Sequence, residues 1–211
     1  MAADEPNDDS RASERTEGES GEILQHYLNE AARSYRSRCV SLPSPPADSA
    51  EVVWMVGLPG AGKTRTAELL PGRERLGIDD VRLDLGLEFG DAGWVDAAYE
   101  EALKRLRTRV AEGRCVVFDS TGLYADARQR VLDLGEKGGC PVRALWVDTP
   151  IALCRERQVA KGRSAHDPFF TSCISLLLQA LRVDLLEEPF ASYHYRRGNG
   201  APSSVAPAPT T

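Results

Sequence analysis

The chain of 211 residues has few of the side chains that most often hold a structural metal ion. It contains three histidines and five cysteines, and no Cys-x-x-Cys pair occurs. Because no histidine stands at a metal-ligand spacing from a cysteine, the sequence argues against a zinc site. The odd number and wide separation of the cysteines favour reduced thiols in a cytosolic protein.

A long apolar segment is also missing from the sequence. No stretch approaches the roughly 18 apolar residues that a membrane-spanning helix needs, and no apolar region follows a basic N-terminus. The sequence therefore predicts neither a membrane span nor a secretory signal. We expect a cytoplasmic protein without a membrane partner.

Positive charge is not in excess. The formal net charge is −6, and residues 1–22 alone account for it with eight acidic and two basic side chains. Residues 23–211 carry 24 acidic and 24 basic side chains. A general nucleic-acid binder has an overall basic field, so this class is not favoured, although a local basic channel is compatible with these numbers.

Composition along the chain predicts five segments. An acidic disordered tail comes first and an amphipathic helix second, followed by a proline-containing linker, one α/β domain and a second disordered tail. The respective bounds are 1–22, 23–40, 41–50, 51–197 and 198–211.

The helix is predicted from an apolar stripe at helical spacing. We expect the stripe either to dock on the α/β domain or to bind a partner, and docking is favoured because such stripes usually face a core. The stripe consists of Ile23, Leu24, Tyr27, Leu28, Ala31 and Tyr35.

Strand and helix patterns alternate through the domain. Its apolar runs lack polar alternation, which indicates strands that are covered on both faces. This predicts an α/β fold in three layers, with a mainly parallel sheet, helices on both faces and ligands at the carboxyl ends of the strands. Strands are predicted at 52–56, 75–78, 115–118 and 143–147, and helices at 64–70, 91–112, 125–137, 150–160 and 169–186.

The segment Gly57–Thr64 is the most informative motif, because it matches G-x-x-x-x-G-K-[ST] in full. It lies between a predicted strand and a predicted helix, and this context separates a phosphate-binding loop from an ordinary glycine-rich turn. Its glycines allow several main-chain N–H groups to converge on one anion, and the helix that follows adds its positive end. The predicted nucleotide-binding residues are Gly57, Leu58, Pro59, Gly60, Ala61, Gly62, Lys63, Thr64 and Arg65.

Two side chains of this loop have predicted roles beside a nucleoside triphosphate. The Lys63 ammonium would neutralise the β and γ phosphates, and the Thr64 hydroxyl would hold Mg²⁺. ATP and Mg²⁺ are therefore the expected cofactors.

A second cluster, Asp79-Asp80-Val81-Arg82, follows the short strand near residues 75–78. A carboxylate there could accept a proton from an attacking hydroxyl, and Arg82 could hold substrate or the transferring phosphate. The alternative is a helix start capped by Asp80. Capping explains one aspartate but not the pair together with the arginine, so catalysis is favoured.

The third cluster, Asp119-Ser120-Thr121-Gly122, comes directly after an apolar strand. Asp119 resembles a Walker-B position that would hold Mg²⁺ directly or through water, although it could instead cap the following turn. The chain lacks the Asn-Lys-x-Asp signature of a GTPase, and no second acid follows Asp119 as in a motor ATPase. Both of those classes are disfavoured.

A basic cluster follows the strand that ends near Asp148. Cations placed around the γ-phosphate stabilise its transfer, and a basic helix could fold over the nucleotide as a lid. A solvated basic helix face is the alternative. The cluster comprises Arg155, Glu156, Arg157, Lys161 and Arg163.

Taken in order, these motifs resemble the polynucleotide-kinase-like and zeta-toxin-like branch of the P-loop kinases. That branch has a G-x-P-G-[SA]-G-K-[ST] loop, an Asp-Asp-x-x-Arg element, a strand that ends in Asp-x-Thr, and then two lid arginines. The resemblance covers about residues 50–165 and implies a P-loop NTPase fold. It implies that Asp79 is the general base, that Arg82 lies on the substrate side, and that Arg157 and Arg163 surround the transferring phosphate.

The chain departs from this pattern in two places. Many relatives have Asn after Asp-x-Thr, where this chain has Gly122, so we expect one side-chain contact to the substrate to be missing. The segment after Asp167 does not match the pattern, and acceptor specificity in such enzymes often lies there.

The sequence therefore predicts an ATP- and Mg²⁺-dependent kinase that acts on a hydroxyl of a small molecule such as a nucleoside, sugar or specialised metabolite. A 5′-hydroxyl polynucleotide kinase and a zeta-toxin-like nucleotide-sugar kinase are the alternatives among enzymes. A nucleotide-gated regulatory protein, whose residues 23–35 contact a partner, is the alternative from another class.

Overall fold

One parallel sheet organises the protein in a computed structural model that describes the backbone of residues 8–88 and 93–198. Its five strands lie in the order β2-β3-β1-β4-β5, and every neighbouring pair is parallel. The strands are β1 (Glu51–Val56), β2 (Glu74–Gly77), β3 (Cys115–Asp119), β4 (Val142–Asp148) and β5 (Ser192–Arg197).

Helices cover the sheet and confirm the predicted three-layer α/β fold. The predicted start of the second domain helix at Asp91 and the tail residues 1–7 and 199–211 lie outside the described residues. The helices are α1 (Asp8–Arg38), α2 (Lys63–Glu68), α3 (Ile78–Asp84), α4 (Trp94–Ala111), α5 (Ala125–Lys137), α6 (Ile151–Val159), α7 (Pro168–Gln179), a π-helical turn (Ala180–Asp184) and α8 (Leu185–Glu187).

The central strands are apolar because both of their faces are covered. Every residue of β1 and of β3 is buried. Trp54 of β1 and Phe118 of β3 stack with ring centroids 5.0 Å apart. These contacts explain why the runs lack the polar alternation of a half-exposed strand.

The docking interpretation of the N-terminal stripe agrees with the structure, since Leu28, Ala32 and Tyr35 of α1 are buried in the core. The Tyr35 hydroxyl donates a hydrogen bond to the carbonyl oxygen of Ala144 at 3.2 Å or of His194 at 3.1 Å. These contacts place α1 against the β4–β5 side of the sheet.

Helix α1 begins at Asp8, whereas the sequence analysis predicts disorder over residues 1–22. The low hydrophobicity of this segment predicted disorder incorrectly. Residues that extend an existing helix do not need to form a new helix nucleus, so a polar segment can be helical when it continues a docked helix. The docked half of α1 supplies that nucleus.

The segment Pro168–Glu187 also corrects an expectation. Its length and hydropathy are those of a helix that could cross a membrane, although the sequence analysis predicts that no such segment exists. Helices that pack in a protein core have the same composition. Here Phe170, Cys173, Ile174 and Leu177 of this segment belong to the hydrophobic core.

Strand β5 was not predicted, because Ser-Tyr-His-Tyr-Arg-Arg has little apolar character. It forms the edge of the sheet beside β4, with His194 in register with Leu145. Only His194 of the strand is fully buried. An edge strand buries only part of its surface and needs few apolar side chains, so the composition of β5 resembles that of a loop.

A buried polar network ties this edge to β1 and to the end of α1. The His194 Nδ1–H donates to the Val40 carbonyl at 2.7 Å, so Nε2 accepts from the Ser192 hydroxyl at 2.7 Å. Ser192 in turn accepts from Arg143, which pairs with the fully buried Glu51. The neutral imidazole is therefore the form that fits this network.

We expect the free energy of unfolding to fall as the pH decreases through and below about 6.5, the ordinary pKa of histidine. Burial lowers the pKa of His194 in the folded protein, with a further contribution from Arg143. The unfolded chain therefore takes up the proton first, and stability is complete only above that pH. Urea unfolding at several pH values will measure the dependence.

The comparison variants are His194→Gln, which cannot titrate, and His26→Gln, which alters an exposed histidine on α1. The first should flatten the pH dependence and the second should preserve it. If the free energy of unfolding of His194→Gln depended on pH as steeply as that of the wild type, the assignment of this dependence to His194 would be contradicted.

Candidate active site

The glycine loop after β1 has the backbone geometry that the motif predicts. Gly60 and Gly62 have φ of 83° and 93°, a region that side chains disfavour. A Cβ at Gly60 would lie 2.6 Å from the carbonyl oxygen of Cys154 in α6. Only glycine allows the loop to lie this close to α6.

Three groups outside the loop hold it in place. The Gly57 N–H donates to the Thr121 carbonyl at 3.0 Å, and the Thr149 hydroxyl donates to the Ala61 carbonyl at 2.8 Å. Arg157 donates to the Gly60 carbonyl at 3.0 Å. The segments that follow β3 and β4 therefore fix the loop from two sides.

Lys63 is buried at the base of the loop, with 9% of its surface exposed. Its ammonium donates to the carbonyl oxygens of Gly57 at 3.0 Å and Leu58 at 2.8 Å. Burial lowers the pKa of the ammonium, and the nearby carboxylates of Asp119 and Asp79 act in the opposite direction. Asp119 ends β3, the strand next to β1, and Asp79 lies in the first turn of α3, which follows β2.

The donors around the loop fit Mg²⁺. Thr64 is exposed in the first turn of α2, and the Asp119 carboxylate lies nearly buried at the end of β3. Hydroxyl and carboxylate oxygens are suitable ligands for Mg²⁺, which completes its shell with water and substrate phosphates. Over the described residues no cluster of three or more His, Cys, Asp or Glu side chains could hold an ion alone.

The first turn of α3 carries the two predicted acidic residues. Asp79 is exposed, and Asp80 forms an ion pair with Arg75. The N-cap residue is Gly77, and no side chain caps this helix. Asp80 therefore does not cap this helix, which was the alternative role for it.

Asp119 does not cap the turn that follows β3 either. That role belongs to Ser120, whose hydroxyl accepts a hydrogen bond from the Gly122 N–H at 3.1 Å. The Asp119 carboxylate instead accepts from Arg75 at 3.0 Å. These contacts exclude turn capping by Asp119, and its Walker-B role stays a prediction.

Arg82 lies in the last turn of α3. It is 6% exposed, donates to the Leu87 carbonyl, and lies 6.0 Å from the centroid of the Trp94 ring. Its guanidinium thus contributes to the arrangement of the segment after α3. The substrate-side role of Arg82 stays a prediction.

The basic helix α6 directs its arginines differently. Arg157 contacts the phosphate loop, whereas Arg155 lies over the Phe170 ring at 5.8 Å. Arg163 is exposed after the end of α6, where its backbone N–H donates to the Gln158 carbonyl. The structure therefore brings Arg157 to the loop and places Arg163 beyond the helix.

Sequence reasoning missed several residues that shape the site. Arg75 pairs with Asp119, and Thr149 holds the loop. Arg128 is fully buried, donates to the carbonyl oxygens of Gly122 and Leu123, and pairs with two carboxylates. An isolated arginine or threonine in a helix or turn has no motif, so only the fold reveals these roles.

The departure at Gly122 has a steric cause. Its φ is 68°, and a Cβ there would lie 2.0 Å from the Met55 carbonyl oxygen and 2.8 Å from Trp54 Nε1. An asparagine would overlap the backbone of β1. The loop after β3 therefore excludes the side chain that many relatives have.

All five cysteines are free thiols in this fold, as the sequence predicts. Burial raises the pKa of Cys154 and of Cys173 to about 11, so both stay neutral beside the loop. They are packing residues and not nucleophiles at neutral pH.

This is a P-loop domain of the kinase-like type, as defined by its fold, its glycine loop and the buried lysine of that loop. The chain belongs to the AAA domain family, whose model matches residues 52–185. This confirms the resemblance to P-loop kinases. No curated protein matches the chain.

Solved structures show the same fold at low identity. A candidate kinase from Chloroflexus aurantiacus is 18% identical, with a TM-score of 0.54 over 72% of this chain and 87% of its own. The Pnkp1/Rnl/Hen1 RNA repair complex is 16% identical, with a TM-score of 0.54 over 71% of this chain and 50% of its own.

We expect Gly122→Ala to destabilise the protein by about 1–3 kcal/mol more than Gly139→Ala. Both glycines have φ near 65°, but a Cβ at Gly139 has no neighbour within 4 Å. The two variants share the backbone strain, and only the first adds the overlap with Met55. Urea unfolding of both variants will measure the difference, and equal losses would contradict the close approach.

Proposed function

We propose that the protein is an ATP-dependent kinase that transfers the γ-phosphate to a hydroxyl group of a small molecule. The observation that carries this proposal is the order of the strands that lead to a buried loop lysine and to two carboxylates. Lys63 begins the helix after β1, Asp119 ends β3, and Asp79 lies in the first turn of the helix after β2; these three strands are neighbours in the sheet. Phosphoryl transfer needs such a cation, a metal-side acid and a base in one place.

The loop supplies the nucleotide-binding part of this mechanism. Its main-chain amides and the Lys63 ammonium would bind the β and γ phosphates in place of the carbonyl oxygens that now accept from Lys63. Arg157, already in contact with Gly60, would add positive charge beside the transferring group. Mg²⁺, held by Thr64 and Asp119, would neutralise developing charge on the phosphates.

Asp79 supplies the base. Its exposed carboxylate can approach an acceptor hydroxyl and take its proton while the hydroxyl oxygen bonds to the γ-phosphorus. The bond between that phosphorus and the bridging oxygen breaks, and ADP leaves. The proton stays on Asp79 until solvent removes it.

A small acceptor is favoured by the exposed acidic group at Asp79. Asp79 and Asp80 are both exposed, and the Arg75 guanidinium pairs with Asp80 and with Asp119. A polynucleotide acceptor would place phosphates next to these carboxylates. The near-neutral charge of residues 23–211 agrees with the same preference.

The structure also bears on the regulatory alternative. The apolar stripe of residues 23–35 is partly used in the core, where Leu28, Ala31 and Tyr35 are buried, whereas Ile23 and Tyr27 are exposed. A partner could not bind the buried part of this stripe without removing α1 from the domain. The buried part of the stripe therefore weighs against the regulatory alternative.

The central test compares two variants. Lys63→Met should abolish binding of Mg·ATP, because the loop loses its only ammonium. Asp79→Asn should bind ATP nearly as well as the wild type while turnover falls by about 10²–10⁴. Calorimetry and ADP release with a panel of nucleosides, sugars and aminoglycosides will measure binding and turnover.

Asp133→Asn is the control, since this half-buried acid accepts a hydrogen bond from Gln129 of the same helix, α5. It should match the wild type in both assays. Full turnover in Asp79→Asn would show that another group is the base, and undetectable ATP binding at millimolar concentration in the wild type would overturn the proposal.

An oligonucleotide with a 5′-hydroxyl distinguishes the enzymatic alternatives. We expect little phosphorylation of it, and we expect turnover of a small acceptor to change only weakly with salt. A polynucleotide kinase would show the opposite, since contacts to nucleic-acid phosphates release counterions and binding weakens steeply with salt. Turnover measured between 50 and 200 mM salt, roughly the range over which such losses are large, will decide.

A further inference from the structure

Arg75 connects the two acidic parts of the site. It belongs to β2, and its Nη1 donates to Asp119 Oδ2 at 3.0 Å while its Nη2 pairs with Asp80 Oδ2. Asp119 ends β3, and Asp80 lies in the first turn of α3. One guanidinium therefore joins the metal-side acid to the helix that carries the candidate base.

The pair with Asp119 is largely shielded from water. The side chain of Asp119 is 6% exposed and that of Arg75 is 22% exposed. Besides a long pair with the exposed Glu68 at 3.9 Å, the planar guanidinium holds Asp119 and Asp80 together, and this fixes the separation and orientation of the two carboxylates, which a surface ion pair does not do. The side chain of Asp80 is half exposed, so its ion pair with Arg75 adds little stability and acts mainly by orienting the two groups.

Gly77 makes this arrangement possible. A Cβ on Gly77 would lie 2.4 Å from Arg75 Nη1 and 2.7 Å from Asp80 Oδ2. The guanidinium therefore lies directly across the backbone of Gly77. The φ of Gly77 is −98°, which any residue adopts, so the glycine is required for space and not for backbone conformation.

We infer that Arg75 is a positioning residue that sets the distance between the metal-side carboxylate Asp119 and the candidate base Asp79. The inference rests on the proposed function for its catalytic part. Asp79 is the neighbour of Asp80 in the first turn of α3, so the bridge fixes where that turn begins.

The test uses two unrelated changes that break the same bridge. Arg75→Gln removes the charge, and Gly77→Ala displaces the guanidinium while every charge is kept. Both should lower kcat by about 10- to 100-fold, as small misplacements of reacting groups do, with the KM for ATP within about twofold of the wild type. Arg114→Gln is the control, since it breaks a surface pair with Glu74 on the same strand.

Hydrogen exchange gives a readout that does not depend on activity. Exchange of the amides of residues 79–84 should be faster in Arg75→Gln and in Gly77→Ala, and unchanged in Arg114→Gln. The double variant Arg75→Gln, Asp80→Asn should lose little more kcat than either single variant, because both remove one bridge. Should Arg75→Gln not fold, Gly77→Ala carries the same test.

Unchanged kcat and unchanged exchange in α3 would overturn the inference. Faster exchange spread over the whole sheet would also overturn it, since the residue would then be a general stabiliser. If the wild type turns over no acceptor, the proposed function fails, and the exchange measurement alone decides whether Arg75 positions α3.

Discussion

Backbone groups of the phosphate loop and its strand lie against backbone groups of the segments after β3 and β4, and this closeness sets the geometry of the site. Gly60 approaches Cys154 of α6, and Gly122 approaches Met55 of β1. Between them, the Gly57 N–H bonds to Thr121. Since main chains meet at these points without intervening side chains, the loop, Asp119 and Arg157 keep fixed positions relative to one another.

The family match ends before the structural unit does. It covers residues 52–185, yet α1 and β5 lie outside it and are packed against the sheet. Gln25 of α1 accepts a hydrogen bond from the Ile151 N–H at the start of α6, and Arg36 pairs with Asp148 at the end of β4. The flanking elements therefore brace the segment that carries Arg157.

Elements that are marked by a pattern of several residues could be predicted from the sequence. The roles of single side chains without such a pattern could not. The glycine loop, β1, β3, β4 and α5 follow from apolar runs and turn residues, and the structure has α5 at the predicted bounds 125–137. Asp79 was identifiable because it belongs to a motif. Arg75 and Arg128 gain their roles from partners 44 to 60 residues away, which no local pattern records.

The same reasoning explains an expectation that failed and a prediction that stays open. The polarity of residues 8–22 predicted disorder, but they extend a helix whose stability comes from Leu28, Ala32 and Tyr35. Arg82 matched a motif, but the motif does not specify the rotamer, and the guanidinium donates to the Leu87 carbonyl. For residues 8–22 a contact elsewhere outweighed the local signal, and for Arg82 the substrate-side role stays a prediction.

The joining of α1 to β5 bears on how the protein matures during synthesis. The Tyr35 hydroxyl bonds to the carbonyl oxygen of His194, which follows it by 159 residues, and Cys39 forms an isolated β-bridge with Tyr193. Until β5 has left the ribosome, the nascent polypeptide exposes the apolar face of α1 that β5 later covers. Completion of this part of the fold must therefore wait for the synthesis of β5, and an exposed apolar face is a surface that chaperones bind during that interval.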